Sequence, residues 1–263
     1  MPRAVQRPLP VNPDPVPARI VVITRPAGTA AALTRRVRAC GGVPLLLPAS
    51  ALRRVDDEAC ARTALQQALA DDVLIFTSPA AVRFAAALAP LQTMATVLAV
   101  GQATALALRR HGVRHPLTPV RQDSEGLLDH PALQLLRGRR VSLIGAAQGR
   151  GLLREQLRSR GAHLRELHVY RRVDPRLDRR HLVALGQLPS SARVLLSSTD
   201  ALRTLRRLLP GSAWRRLSAA VAVVSSERLA AAARDAGFVH IVRAASALSS
   251  DLIDAALGVD RAA

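Results

Sequence analysis

Val73-Leu74-Ile75-Phe76-Thr77-Ser78-Pro79-Ala80-Ala81-Val82-Arg83 decides the fold class. Val73 to Phe76 is a short, continuous apolar run, the mark of a strand covered on both faces of a parallel sheet. Thr77-Ser78-Pro79 is a polar turn, and an Ala-rich stretch at helical spacing follows it. The same unit recurs along the chain. Strands are predicted at Ile20 to Thr24, Val43 to Leu47, Val73 to Phe76, Val97 to Val100, Val141 to Ile144, Leu164 to Val169, Val194 to Ser197, Val221 to Val224 and His240 to Arg243. Helices between them include Ala30 to Cys40, closed by Gly41, Gly151 to Arg160, closed by Gly161, and Glu227 to Asp235, closed near Gly237. Alternating strand and helix predicts an α/β fold with parallel sheets and right-handed crossovers.

The opening stretch has an echo. Thr77-Ser78-Pro79-Ala80-Ala81-Val82-Arg83 is answered 120 residues later by Ser197-Ser198-Thr199-Asp200-Ala201-Leu202-Arg203. Gly41 is answered by Gly161 at the same offset, and Val100-Gly101-Gln102-Ala103-Thr104 by Val224-Ser225-Ser226-Glu227-Arg228 at an offset of 124. We read two similar α/β lobes, each a parallel sheet flanked by helices. Residues 1–18 hold six prolines and few apolar residues, so they read as a flexible extension, with folding starting near Arg19.

The 263 residues allow one or two domains, and 49% hydrophobic content excludes a largely disordered chain. Thirty-eight basic against 19 acidic side chains leave +19, and every basic residue is Arg. Without Lys there is no Schiff-base enzyme, no pyridoxal phosphate enzyme with its own Lys, and no Walker P-loop. The field favours anionic partners. Five aromatic residues, Phe76, Phe84, Tyr170, Trp214 and Phe238, are poor provision for base stacking, so nucleic acid is not the expected partner. Cys40 and Cys60 form no CxxC pair and read as two buried free thiols of a chain in a reducing cytoplasm. Phe84 to Leu108 is uncharged and long enough to span a membrane, but Pro90, Gly101 and several polar residues divide it into helix end, strand and turn, so no membrane is expected.

Chemistry in such a fold sits beyond the carboxyl ends of the strands, where helix N-termini present free N–H groups. Six turns qualify: Thr24-Arg25-Pro26, Thr77-Ser78-Pro79, Gly101-Gln102-Ala103-Thr104, Gly145 to Gly151, Ser197-Ser198-Thr199 and Ser225-Ser226-Glu227. Each Ser or Thr there also has an ordinary use as a helix cap. His111 and His115 are not on a helix with a following Glu, so no zinc motif exists, and they read as surface or structural histidines. Gly145 to Gly151 lacks GxGxxG spacing. Asp56-Asp57-Glu58 and Asp71-Asp72 read as solvated helix ends. Tyr170, followed by Arg171 and Arg172, is suited either to give a proton to a leaving group or to bury its ring.

In order along the chain, Ile23-Thr24-Arg25-Pro26, Phe76-Thr77-Ser78-Pro79-Ala80-Ala81-Val82, Val100-Gly101-Gln102-Ala103-Thr104-Ala105, Asp123-Ser124-Glu125-Gly126-Leu127-Leu128, Gly149-Arg150 before Leu152-Leu153, Val169-Tyr170-Arg171-Arg172 and Val224-Ser225-Ser226-Glu227-Arg228 resemble the uroporphyrinogen-III synthase family. The resemblance runs from about Arg19 to Leu257. It implies two α/β lobes joined by two extended linkers, near Leu46 to Leu52 and Leu167 to Val173, with a cleft between. The lobes would be residues 19–48 plus 173–258, and 49–172.

It also implies a hydro-lyase of heme and other tetrapyrrole biosynthesis, cytoplasmic and monomeric. The reaction would be cyclisation and dehydration of hydroxymethylbilane to uroporphyrinogen III with inversion of ring D, without cofactor or metal, in transient contact with the upstream deaminase. Carried onto this sequence, Tyr170 and Thr104 would be catalytic, and Arg25, Ser78, Gly101, Arg150, Ser197, Ser198 and Ser226 would bind substrate. Ser225-Ser226-Glu227 stands where the family often has a Gly-containing turn. The alternative is a two-lobed binding module for an anionic metabolite, without turnover.

Overall fold

A computed structural model describes residues 19–147 and 151–258; the extension expected at 1–18 lies outside the described residues. Contacts divide the chain into two compact units, the first holding the described residues up to Ala51 and from Asp174 on, the second Leu52–Val173.

Chain order runs β1 (Ile20–Ile23), α1 (Ala31–Ala39), β2 (Val43–Leu46), β3 (Ala51–Arg54), α2 (Glu58–Ala68), β4 (Val73–Phe76), α3 (Pro79–Leu88), β5 (Thr96–Ala99), α4 (Gln102–Arg110), α5 (Ser124–Leu128), β6 (Arg140–Ala146), α6 (Gly151–Ser159) and β7 (His163–Val173). It continues with α7 (Arg179–Gly186), β8 (Arg193–Leu195), α8 (Thr199–Leu208), α9 (Gly211–Ser218), β9 (Val221–Val224), α10 (Glu227–Asp235), β10 (Ile241–Arg243) and α11 (Ser249–Leu257).

The first unit contains a five-stranded sheet in the order β10-β9-β8-β1-β2, and the second one in the order β3-β7-β6-β4-β5. Pairings β1–β2, β1–β8, β8–β9, β9–β10, β4–β5, β4–β6 and β6–β7 are all parallel, as the apolar strand runs predicted. Both sheets are covered on both faces. In the first, Val22, Val194, Ala222 and Val224 share a core with Trp214 and Phe238, while Val21, Ile23, Leu195 and Val223 pack with Leu33, Val37 and Ile253. In the second, Leu74, Phe76, Val97 and Ile144 pack with residues of α2, α3 and α4, and Val73, Ile75, Leu98 and Leu143 with residues of α5 and α6. Fully burying a Val, Leu or Ile side chain contributes about 1.5–3 kcal/mol, so these two-sided strands anchor the fold.

The weak repeat has a structural counterpart. Read from the β5 end, the second sheet is β5-β4-β6-β7-β3, so β5, β4, β6 and β7 take the places of β9, β8, β1 and β2. Gly41 and Gly161, 120 apart, close α1 and α6 with φ of 76° and 80°, the left-handed cap that Gly adopts at little cost.

Ala51–Arg54 is a strand at the sheet edge beside β7, and its first two residues fall at the end of the stretch Leu46 to Leu52 expected as a linker. Its four residues carry too little apolar signal because two are exposed arginines. Leu167 to Val173, expected as the second extended linker, is the extended end of β7. Two expectations change. Cys40 and Cys60 are free but exposed, one at the C-cap of α1 and one on the outer side of α2. Asp71 is only 4% exposed, whereas a solvated helix end was expected. It accepts hydrogen bonds from Ser142 Oγ at 2.6 Å and Arg165 Nε at 3.2 Å. Such partners are what a buried carboxylate requires.

Among the described residues no helix is long and apolar enough to cross a membrane. Phe84 to Leu108 is divided as predicted: α3 ends at Leu88, β5 follows, and α4 starts after Gly101.

Candidate active site

In a doubly wound sheet the crevice opens where neighbouring strands send their chains to opposite faces, beyond the carboxyl ends. In the second unit that point lies between β4 and β6: the helices after β4 and β5 cover one face, and α6 the other. Thr77 directly follows β4 there. Its Oγ1 donates to Ile144 O on β6 at 3.1 Å.

Ser78 follows in extended conformation as the N-cap of α3, with Pro79 as the first helical residue. Its Oγ accepts from Ala81 N–H at 3.0 Å, so the cap use is real. The same hydroxyl lies 3.3 Å from Tyr170 Oη, and either can donate. Tyr170 belongs to β7, where a register shift pairs Gly145 with His168 and Ala146 with Tyr170. The shift breaks the in-out alternation, so Val169 and Tyr170 are both buried, and a bulge of this kind re-aims a side chain. The Tyr170 ring stacks on Phe84, centroids 5.3 Å apart, leaving its hydroxyl directed at Ser78. Of the two arginines read beside it, Arg171 pairs instead with Asp56 at 2.8 Å.

Gly101 is the N-cap of α4 in a fully extended conformation, so its φ does not demand Gly. A Cβ there would stand 2.6 Å from Gln122 Oε1, so a larger residue would have to push that side chain away from the helix end. That oxygen accepts from Gln102 N–H at 2.9 Å, a cap supplied from 20 residues away, which no sequence signal announces. Thr104 is buried, 2% exposed, in the first turn of α4.

The first unit has its switch point between β8 and β1, where Thr24, fully buried, donates to Leu195 O at 2.7 Å and accepts from Ser197 N–H at 3.2 Å. Ser198 and Ser226 are N-caps of α8 and α10, accepting from Ala201 N–H at 3.1 Å and Leu229 N–H at 3.3 Å. Arg25, next to Thr24 in sequence, stands half-buried, its Nη2 donating to Ser249 Oγ at 3.2 Å. Burial lowers its pKa. Arg203 pairs with Asp200, and Arg234 with Glu227, whose carboxyl this bond holds below the usual range. A half-buried guanidinium bonded to a neutral hydroxyl, as Arg25 is, is chemically suited to an incoming carboxylate.

Ser78, Tyr170, Gly101 and Thr104 therefore lie on the second unit, and Arg25, Ser197, Ser198 and Ser226 on the first. Arg150 lies outside the described residues, as do Gln148 and Gly149 of the turn opening α6. His111 and His115 are exposed, as expected, and among the described residues no group of three His, Cys, Asp or Glu side chains is placed to hold a metal ion.

A family model described as Uroporphyrinogen-III synthase HemD matches residues 31–254. The chain belongs to this family. Uroporphyrinogen-III synthase of Salmonella typhimurium (strain LT2) is 31% identical over 89% of the chain and 98% of that protein. Uroporphyrinogen-III synthase of Escherichia coli (strain K12) is 30% identical over 89% of the chain and 98% of that protein.

Solved structures share the α/β fold with parallel sheets flanked by helices. Uroporphyrinogen-III synthetase of Helicobacter pylori 26695 superposes with a TM-score of 0.61 at 15% identity, over 92% of the chain and all of that one. A mutant uroporphyrinogen III synthase of the extremely thermophilic bacterium Thermus thermophilus gives 0.54 at 22% identity, over 89% and 96% of the two chains. As a uroporphyrinogen-III synthase family member, the chain is a lyase-type enzyme of the heme pathway that acts on a small-molecule tetrapyrrole.

Proposed function

We propose that this enzyme converts hydroxymethylbilane to uroporphyrinogen III by positioning and hydrogen bonding alone, and that the Tyr170 and Ser78 hydroxyls assist departure of the substrate's hydroxyl. The single observation that carries this is the 3.3 Å approach of those two groups at the carboxyl edge of a parallel sheet. Ser78 Oγ accepts from the helix, leaving its own proton for Tyr170. Tyr170 Oη then directs its proton outward, to the leaving oxygen.

The terminal C–O bond breaks, the hydroxyl departs with a proton as water, and an azafulvenium cation remains, stabilised by the pyrrole nitrogen. The substituted carbon of ring D attacks this cation to give a spiro intermediate. The intermediate reopens and recloses through the other carbon, and loss of a proton restores the aromatic ring. The uncatalysed cation closes directly to the type I isomer, so the enzyme's task is to orient the terminal rings. Arg25 takes a substrate carboxylate bidentately, and N–H groups near Gly101, Ser197, Ser198 and Ser226 take others. Arg150 and Thr104 complete the proposed set.

The reading requires no cofactor. It places the enzyme in the cytoplasm as a monomer meeting the deaminase transiently, and two exposed free thiols suit a reducing compartment. The test is incubation with hydroxymethylbilane generated in place by that deaminase, followed by separation of isomers I and III. Isomer III should dominate; isomer I alone refutes the reading.

A further inference from the structure

Between the strands carrying Ser78 and Tyr170 runs β6, bonded to β4 on one side and β7 on the other. Gly145 is the β6 residue at this crossing. It does not have a left-handed φ, so backbone freedom does not call for Gly. Space does: a Cβ at 145 would collide with Thr77 Oγ1, while Thr77 Cβ and Cγ2 would stand at ordinary distances of 3.4 and 3.5 Å.

Thr77 has little room to yield. It is β-branched and therefore stiff at χ1. It is 9% exposed, and both its N–H and its Oγ1 bond Ile144 O, at 3.1 Å each. The collision must therefore be relieved by moving the end of β4 against β6, and the next residue of that end is Ser78. On its other side Gly145 is the last residue in register with β7 before the shift that re-aims Tyr170.

We propose that Gly145 is a positioning residue for the reaction: its bare Cα lets Thr77 seat on β6, which holds the Ser78 and Tyr170 hydroxyls in register across two strand spacings. The inference rests on the reading of Tyr170 given above. An ångström of misplacement in a positioned site can cost about a hundredfold. Gly145→Ala should therefore lower kcat by roughly tenfold or more, with KM little changed, and raise the share of the type I isomer.

Tyr170 is the sole tyrosine, so protein labelled with ring-¹³C tyrosine gives one tyrosine signal that reports its surroundings without any assay of turnover. In Gly145→Ala that signal should move. Thr77→Ala removes the colliding oxygen, so the double variant Gly145→Ala/Thr77→Ala should match Thr77→Ala in kcat and in the tyrosine signal. Should Gly145→Ala alone fail to fold, the double variant must fold, because the clash is gone.

An unmoved tyrosine signal, a double variant that is worse than Thr77→Ala, or one that does not fold overturns the proposal. Wild-type turnover in Gly145→Ala while Tyr170→Phe is impaired also overturns it. Wild-type turnover in Tyr170→Phe would instead sink the underlying assignment of Tyr170.

Discussion

Tyr170 Oη and Ser78 Oγ, 92 positions apart in sequence, meet at 3.3 Å because β7 and β4 flank one strand and a register shift turns Tyr170 toward the α3 cap. The ring is held independently, by stacking on Phe84. Tyr170→Phe should consequently fold as the wild type and lower kcat by about a hundredfold, with KM within about twofold. Steady-state kinetics with thermal unfolding as control checks this. Equal loss of both parameters would favour a role in binding alone.

Ser78 has a second duty. Ser78→Ala removes the hydroxyl beside Tyr170 and the cap of α3, so it should lower turnover and also cost about 1 kcal/mol of stability. Ser198→Ala, which loses a cap without touching Tyr170, should show a similar stability loss. Urea unfolding of both variants separates the two effects.

Arg25 is half-buried with its pKa lowered by desolvation, an arrangement that costs stability unless an anion arrives. Arg25→Met should raise the urea midpoint while increasing KM roughly tenfold or more, since a charge-assisted hydrogen bond contributes about 1.5–3 kcal/mol. A lowered midpoint with unchanged KM would make Arg25 structural.

Gly41 and Gly161 share their conformation but not their surroundings. A Cβ at Gly41 meets nothing within 4 Å, whereas at Gly161 it would lie 3.2 Å from the backbone Cα of Arg137. Gly41→Ala should cost about 1–2 kcal/mol for the left-handed φ alone, and Gly161→Ala more. Equal losses would show that Arg137 gives way freely.

Asp174 and Glu227 are held below the usual carboxylate range, first by hydrogen bonds to Arg207 and Arg234 respectively. A carboxylate depressed in the folded state stabilises it above its unfolded pKa, and that contribution is lost as pH falls through the folded value. The urea midpoint should thus fall with acidification below about pH 4. Asp174→Asn should fall less steeply; an identical profile would mean that solvent screening has removed the effect.

Much of the sheet was legible because two-sided burial imposes continuous apolar runs such as Val73 to Phe76. The edge strand Ala51–Arg54 was not, since an edge needs little apolar content. Pattern alone could not separate Asp71, buried on Ser142 and Arg165, from its half-exposed neighbour Asp72. The candidate residues were found one turn at a time, but the Tyr170 contact depends on a skipped register position. Alternation predicts opposite faces for Val169 and Tyr170, and the bulge buries both.

The equivalence of β1, β2, β8 and β9 with β6, β7, β4 and β5 bears on how the chain can fold. In chain order the strand pairs β1-β2, β4-β5, β6-β7 and β8-β9 alternate between two types, and each sheet combines one pair from the earlier half of that series with one from the later half. The second sheet is built from one uninterrupted stretch, whereas β1 and β2 must wait for β8, so the first unit closes a loop that contains the whole of the second and should be the slower of the two to assemble.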